Sequence, residues 1–125
     1  MSYRVLIVDD EQDVLDVLGE MVNALGFRTS KASCGIKAIE LLKNAKYDLV
    51  ITDLIMPDVS GIEVLQAVKK QYPTMPVIIT AGVDIRETQI DLKKYGKSVF
   101  IKKPFTLGDI SESIRGLFKD SAVPV

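Results

Sequence analysis

Four short, nearly continuous runs of apolar residues stand out along the chain, each rich in valine and isoleucine. A fifth and weaker run lies between the first two. Runs of this length and continuity are typical of β-strands that are buried on both faces of a sheet. The pattern therefore predicts five strands, at 4–8, 27–32, 48–52, 76–80 and 98–101.

Between the predicted strands, apolar residues recur every three or four positions, which is the spacing of a helix with one buried face. The segment from Asp84 to Tyr95 fits this spacing least well, and we expect it to be the least firmly packed of five helices. The apolar positions of the four clearer helices are Val14, Leu18, Val22 and Leu25; Ile36, Ile39 and Leu42; Ile62, Leu65, Val68 and Tyr72; and Leu107, Ile110, Ile114 and Leu117.

Strands and helices thus alternate five times along the chain. Such alternation predicts an α/β fold, in which helices cover both faces of a five-stranded parallel sheet. The length of 125 residues fits a single domain. We assign that domain to residues 1–119 and expect 120–125, which read DSAVPV, to be a flexible tail or the start of a linker.

The composition is that of an ordinary globular domain with a substantial core, with 47% hydrophobic and 26% charged residues. A net charge of −1 gives the molecule no overall attraction to nucleic acid or anionic membranes. No segment has the roughly 20 consecutive apolar residues of a membrane helix, and the N-terminus lacks the pattern of a signal peptide. We therefore expect a cytoplasmic protein that binds neither membranes nor nucleic acid directly.

Two residue types that carry much protein chemistry are scarce or absent. The chain has no histidine, and its one cysteine is Cys34. This excludes disulfides within the chain, zinc sites built from cysteine and histidine, and nucleophiles activated by a histidine. Any metal must be held by oxygen atoms, which favours Mg²⁺, Mn²⁺ or Ca²⁺.

Polar residues follow the ends of four predicted strands, where ligands bind in open parallel sheets. Taken singly, each has a structural explanation as a helix cap, a turn residue, a β-branched strand residue or a solvated lysine. Separate structural roles do not explain why opposite charges and a hydroxyl meet at one edge. The residues are Asp9 and Asp10 after the first strand, Asp53 after the third, Thr80 at the end of the fourth, and Lys102 and Lys103 after the fifth.

A cation explains this crowding of acids. Three carboxylates brought together resist full ionisation unless a positive charge compensates them. Mg²⁺ supplies that charge and keeps positions open for water and phosphate oxygens. A lysine and a threonine hydroxyl would complete a cage for a phosphoryl group, and a carboxylate can itself be the nucleophile that forms an acyl phosphate. The strand ends therefore predict a magnesium-dependent phosphoryl site.

Four motifs together resemble the receiver domain of two-component response regulators. They are the pair Asp9-Asp10, DLIMPDVSG at 53–61, TAG at 80–82 and KPF at 103–105, and their order and spacing match through about Phe118. The resemblance implies the flavodoxin-like doubly wound sheet with strand order 2-1-3-4-5 and five helices. It also implies a phosphorylation-dependent signalling switch rather than an enzyme proper.

The resemblance assigns a role to each matching residue. Asp53 would be the phosphoacceptor, taking its phosphoryl group from a sensor histidine kinase or a phosphotransfer protein. Mg²⁺ would be held by Asp53, by Asp10 directly, by Asp9 mainly through water, and by the backbone carbonyl of Ile55. Lys103 matches the lysine of the family, whereas Lys102 does not, because strand alternation points it elsewhere.

The resemblance also implies a switch. Thr80 would move toward the phosphoryl group while Phe100 turns inward, repacking the surface of the fourth helix, fifth strand and fifth helix. That surface would control an output domain or a protein partner, and whether the active form is a homodimer stays open. The bond between Lys103 and Pro104 would be cis. Ile55 and Gly82, at positions that tune phosphoryl lifetime in the family, cannot hold an attacking water, which suggests slow self-hydrolysis.

Other interpretations remain beside this one. Lys93, Lys94, Lys97 and Lys102 make the start and end of the fifth strand basic, either as a solvated face or as a docking surface for an acidic partner. A phosphohydrolase with an aspartyl-phosphate intermediate would often carry a second aspartate where this chain has Ile55. A receiver-shaped interaction module without the chemistry, or a flavin-binding flavodoxin, would share the fold alone.

Overall fold

A computed structural model describes residues 3–118 of the chain. Within that part, five strands, four α-helices and two 3-10 helices alternate. The predicted tail at 120–125 lies outside the described residues. The elements are β1 (Arg4–Val8), α1 (Gln12–Ala24), β2 (Arg28–Ala32), α2 (Gly35–Asn44), β3 (Leu49–Asp53), α3 (Gly61–Gln71), β4 (Val77–Ala81), the 3-10 helices Ile85–Glu87 and Leu92–Tyr95, β5 (Ser98–Lys102) and α4 (Leu107–Leu117).

The five strands form one parallel sheet in the order β2-β1-β3-β4-β5. This confirms the predicted fold and strand order. The register pairs Val8 with Thr52 in β3, and Asp53 with Thr80 in β4. The carboxyl ends of β1, β3 and β4 therefore meet at the same edge of the sheet, with the end of β5 beside them.

The sheet is covered on both faces. Side chains alternate along a strand, so β1, β3, β4 and β5 each contribute to two separate cores. One core packs against α2 and α3 and includes Leu6 and Leu65. The other packs against α1 and α4 and includes Ile7 and Ile110. All residues of β3 and β4 are buried, which makes the carboxyl ends of these strands a fixed platform.

The segment between β4 and β5 departs from the prediction. A helix was expected from Asp84 to Tyr95, but the structure has two short 3-10 helices there, Ile85–Glu87 and Leu92–Tyr95. The described residues therefore contain four α-helices instead of the five predicted. The surface expected from the fourth helix, fifth strand and fifth helix is formed here by this segment, β5 and α4.

Side chains that compete for backbone hydrogen bonds explain why this helix is broken. The Thr88 hydroxyl donates to the carbonyl of Ile85 at 2.6 Å and accepts from the N–H of Ile90 at 3.3 Å. The carboxylate of Asp91 accepts from the N–H of Lys93 at 3.1 Å. Such local bonds satisfy groups that a continuous helix would pair with each other, and they favour turns.

Arg86→Gln should raise the pKa of Asp84, which lies at about 2 in the wild type. Side-chain hydrogen bonds from Arg86, the shortest at 2.8 Å, are the main cause of that low pKa, followed by the N–H of the same residue. A carboxyl group whose pKa is lower in the folded protein than in the unfolded chain stabilises the fold at pH values above its ordinary pKa of 3.8. This stabilisation is lost as the pH falls toward 2. The variant should therefore lose less stability on acidification.

Carboxyl ¹³C NMR titration of both proteins measures this pKa. Asp58 is the internal control, because its pKa is also about 2 but is lowered mainly by backbone N–H groups, that of Ile36 first. Its titration should not change in Arg86→Gln. An Asp84 pKa that stays at about 2 in the variant would show that the backbone alone sets it.

None of the helices in the part of the chain that the structure describes is long and apolar enough to cross a membrane.

Candidate functional site

Three carboxylates converge at the carboxyl edge of the sheet. Asp9 and Asp10 follow β1, and Asp53 is the last residue of β3. Each of the three residues has a carboxylate oxygen that lies within 4.8 Å of a carboxylate oxygen of both others. Asp9 is fully buried and Asp53 is 6% exposed, whereas Asp10 is exposed. The predicted acidic cluster is thus present, with one member facing solvent.

Lys103 is the cation that faces these acids. Its ammonium group lies 2.9 Å from Oδ2 of Asp9 and 3.5 Å from Oδ2 of Asp53. The backbone N–H of Lys103 donates to the carbonyl of Ala81, and the following bond to Pro104 is cis, as expected. Lys102 is exposed and lies outside the ion pairs found among residues 3–118.

The charges at this edge are unbalanced. Burial raises the pKa of Asp53, and the neighbouring charges of Asp9 and Asp10 raise it further, against the lowering effect of Lys103. Burial alone would lower the pKa of Lys103, but its hydrogen bond to Asp9 and the carboxylate charges outweigh this and raise it. One lysine therefore does not compensate three carboxylates, and the site favours additional positive charge.

Thr80 supplies a hydroxyl without a partner. The residue is fully buried, and its Oγ1 has no hydrogen-bond partner among the described residues. A buried hydroxyl that makes no hydrogen bond is costly, and such groups are rare in native proteins. Thr80 pairs with Asp53 in the strand register. Its hydroxyl is therefore available to a ligand beside the acidic cluster.

The other residues singled out from the sequence lie outside the cluster. Ile55 follows β3, and its side chain is 63% exposed. Gly82 has open space where a side chain would begin. Phe100 is half-buried in β5, packs against the core on the side of α2 and α3, and lines a groove with Asp109 and other residues of α4. Neither Ile55 nor Gly82 offers a polar side chain to the site.

Two carboxylates bind backbone N–H groups at the starts of helices, and the second of these contacts was not foreseen. Asp9 accepts a hydrogen bond from the N–H of Glu11 at 2.9 Å, so it shapes the start of α1 as well as the site. Asp58 accepts from two backbone N–H groups at the start of α2. The sequence signal for the second contact is indirect. Cys34, which precedes α2, belongs to a residue type that caps helices poorly, so the cap has to come from elsewhere.

The residues present fit a divalent cation and a phosphoryl group. Carboxylate oxygens are the ligands that Mg²⁺ prefers, and the lysine and the unpaired hydroxyl face the same edge. A model of the response regulator receiver domain matches residues 5–115. The chain belongs to this receiver domain family. It is therefore a receiver domain of the kind found in two-component response regulators.

Individual relatives agree with this assignment. The receiver domain is 30% identical over 121 residues to chemotaxis protein CheY-3 of Vibrio cholerae, covering 94% of this chain and 93% of the relative. It is 35% identical over 103 residues to a putative response regulator NtrX-like of Rickettsia bellii, covering 81% of this chain and 22% of the relative. The chain spans between 22% and 51% of the length of several curated relatives.

A solved structure has the same fold. The response regulator protein TrrA of Thermotoga maritima, in complex with Mg²⁺-BeF, is 27% identical and superposes with a TM-score of 0.81. The match covers 92% of this chain and 98% of that one.

Proposed function

We propose that this receiver domain is a phosphorylation-dependent switch that accepts a phosphoryl group on Asp53. The observation that carries the proposal is the convergence of three carboxylates, the Lys103 ammonium and the unpaired Thr80 hydroxyl at one edge of the sheet. The donor would be the phosphohistidine of a sensor histidine kinase or of a phosphotransfer protein. The complex of TrrA with Mg²⁺-BeF supports the same chemistry for this fold.

In the proposed reaction, a carboxylate oxygen of Asp53 attacks the phosphorus atom. The bond from phosphorus to the donor nitrogen breaks, its electron pair stays with the imidazole, and an acyl phosphate forms on Asp53. Lys103 neutralises charge on the transferred oxygens, and the Thr80 hydroxyl donates to one of them. Mg²⁺ would be held by Asp53, by Asp10 directly, by Asp9 mainly through water and by the carbonyl of Ile55, and it would supply the remaining positive charge.

The same group would then change the surface of the domain. A phosphoryl oxygen gives the Thr80 hydroxyl the partner that it lacks, which stabilises the conformation in which the two meet. Phe100 is only half-buried and can occupy space that the threonine leaves. The surface formed by the segment 84–95, β5 and α4 would then bind an output domain or a protein partner differently. A second copy of the chain is one such partner.

Incubation with acetyl phosphate and Mg²⁺ should add one phosphoryl group to the wild-type protein, and EDTA should prevent the addition. Without the metal the crowded carboxylates repel the incoming anion, so the expected effect of EDTA is near-complete loss. Intact-mass measurement under a mildly acidic quench detects the product. Beryllofluoride, a stable stand-in for the phosphoryl group, should shift the amide NMR signals of Thr80 and Phe100.

Two results would contradict the proposed function. One is a wild-type protein that gains no phosphoryl mass and shows no shift with beryllofluoride, which would leave an interaction module with the shape of a receiver. The other is turnover of a small phosphate ester at an enzyme-like rate, which would favour a phosphohydrolase.

The phosphorylated domain should lose its phosphoryl group over minutes rather than seconds. Hydrolysis needs a water held in line with the phosphorus atom, and the side chains of Ile55 and Gly82 have no polar atom to hold it. Ile55→Asn would introduce such an atom and should shorten the lifetime, whereas Ile55→Val should leave it unchanged. Loss of phosphoryl mass with time measures all three proteins. A wild-type lifetime of a few seconds would refute this prediction.

A further inference from the structure

The start of α2 is capped from a distant part of the chain. The first N–H groups of a helix have no partner inside the helix, and the side chain of Cys34 at the cap position makes no cap hydrogen bond. Asp58 supplies the missing acceptors. Its Oδ1 accepts from the N–H of Gly35 at 3.2 Å, and its Oδ2 accepts from the N–H of Ile36 at 2.9 Å.

This cap is strong for a surface contact. A carboxylate at a helix N-terminus is favoured by the helix dipole as well as by the hydrogen bonds. The N–H of Ile36 is the main cause of the low pKa of Asp58, about 2. Packing reinforces the contact, because Gly35 lies directly against Val59 and a side-chain carbon at position 35 would collide with it.

Asp58 belongs to the loop that joins β3 to α3, and this loop carries the carbonyl of Ile55. Both ends of the loop are fixed by backbone hydrogen bonds. The N–H of Leu54 donates to the carbonyl of Thr80 at 2.8 Å, and the N–H of Gly61 donates to the carbonyl of Leu54 at 2.8 Å. Between these ends, the side chain of Ile55 is 63% exposed and contributes little packing.

We propose that Asp58 is a positioning residue, which ties the β3–α3 loop to α2 and thereby holds the Ile55 carbonyl where it can bind a divalent cation. The inference rests on the proposed function, because it concerns a ligand of the same metal. Asp58 itself touches neither the metal nor the phosphoryl group. It acts through the backbone of the loop, as outer hydrogen bonds orient the ligands of metal sites.

A purely structural role for Asp58 predicts something different. If the carboxylate only caps α2, its removal lowers the stability of the protein and leaves metal affinity unchanged. If it positions the loop, its removal weakens Mg²⁺ binding even where the protein is fully folded. Loss of a nearby negative charge would also weaken Mg²⁺ binding, so the charge and the hydrogen bonds have to be separated.

Three variants separate these effects. Asp58→Ala removes both hydrogen bonds and the charge, whereas Asp58→Asn removes the charge and keeps one acceptor oxygen, which is enough for one of the two hydrogen bonds. Thr106→Ala is the matched control, because the Thr106 hydroxyl caps α4 by accepting from the N–H of Asp109 at 3.1 Å. It removes a helix cap away from the β3–α3 loop. Circular dichroism confirms that each variant is folded.

Titration with MgCl₂, followed by amide NMR signals, gives the metal affinity of each protein. We expect Asp58→Ala to bind Mg²⁺ about tenfold more weakly, as found when outer partners of metal ligands are removed. Asp58→Asn, which keeps one of the two hydrogen bonds, should lose less affinity than Asp58→Ala, and Thr106→Ala should lose none. In metal-free protein, hydrogen exchange of the Gly61 amide should be faster in Asp58→Ala than in Thr106→Ala.

Each other outcome has a definite meaning. Equal weakening in Asp58→Ala and Asp58→Asn would assign the effect to charge and overturn the inference, as would unchanged affinity in both. A wild-type protein that binds Mg²⁺ keeps the proposed function intact in either case. A wild-type protein that shows no response to Mg²⁺ or beryllofluoride would overturn the proposed function and this inference together.

Discussion

Asp53→Asn should abolish the uptake of a phosphoryl group from acetyl phosphate, while the protein remains folded. The amide cannot act as the nucleophile that forms an acyl phosphate. The substitution keeps the shape of the side chain, and Lys103 retains its shorter contact, 2.9 Å to Asp9. Intact-mass measurement should therefore show one added phosphoryl group on the wild type and none on the variant.

A matched substitution elsewhere checks that the effect is specific. Asp48 lies before β3 at the opposite edge of the sheet, where its Oδ2 accepts from the N–H of Arg4 at 2.7 Å. Asp48→Asn makes the same chemical change far from the acidic cluster and should be phosphorylated like the wild type. If Asp53→Asn still gained a phosphoryl group, the acceptor would be another residue and the proposed mechanism would be wrong.

Asp53→Asn should also be more stable than the wild type near neutral pH in the absence of metal. Because the pKa of Asp53 is raised by burial and by Asp9, the folded state binds more protons than the unfolded state just above the ordinary carboxyl pKa. The free energy of unfolding then falls as pH rises through this window. Asp53→Asn has no such proton to lose, so urea unfolding at several pH values should show a flatter profile.

Gly61→Ala should destabilise the protein by about 1–2 kcal/mol, although alanine is the better helix former. Gly61 is the first residue of α3, and a side-chain carbon there would collide with the carbonyl oxygen of Asp53 and lie 2.8 Å from Cα of Leu54. Both neighbours are backbone atoms that cannot rotate away. Overpacking of this kind costs about 1–3 kcal/mol, more than the roughly 1 kcal/mol that alanine contributes to a helix.

Gly116→Ala is the control with the opposite sign. Gly116 is also helical and exposed, but nothing lies within 4 Å of the position that a side-chain carbon would take. Alanine should therefore stabilise α4 by up to about 1 kcal/mol. Urea unfolding of both variants measures the difference, and a Gly61→Ala protein that is as stable as Gly116→Ala would contradict the predicted clash.

The central strands were predictable because burial on both faces requires an almost continuous run of apolar residues. Val77–Ala81 and Leu49–Asp53 are buried throughout, so their apolar runs have few polar interruptions. The position of the acidic cluster could then be predicted from the strands. Once the strands are parallel, residues at their carboxyl ends have to meet at one edge.

The features that could not be predicted depend on contacts between distant or competing groups. The segment 84–95 has apolar residues for a helix, but Thr88 and Asp91 bind its backbone instead. The spacing of the apolar residues gives no information about this competition for backbone hydrogen bonds. The cap on α2 comes from Asp58, which is separated from Gly35 by 23 positions. The position of Thr80 was predicted, but nothing in the sequence indicated that its hydroxyl is buried without a hydrogen-bond partner among the described residues.

The pairing of Lys103 with Asp9 joins residues that are 94 positions apart. Domains fold as units, and the first part of a chain leaves the ribosome well before the last. A growing chain that ends before the fifth strand would contain every carboxylate of the cluster without the lysine that faces them. The complete charge arrangement exists only after the final strand has been made and has joined the sheet. A partly synthesised protein therefore lacks the positive charge that the proposed phosphoryl transfer to Asp53 requires.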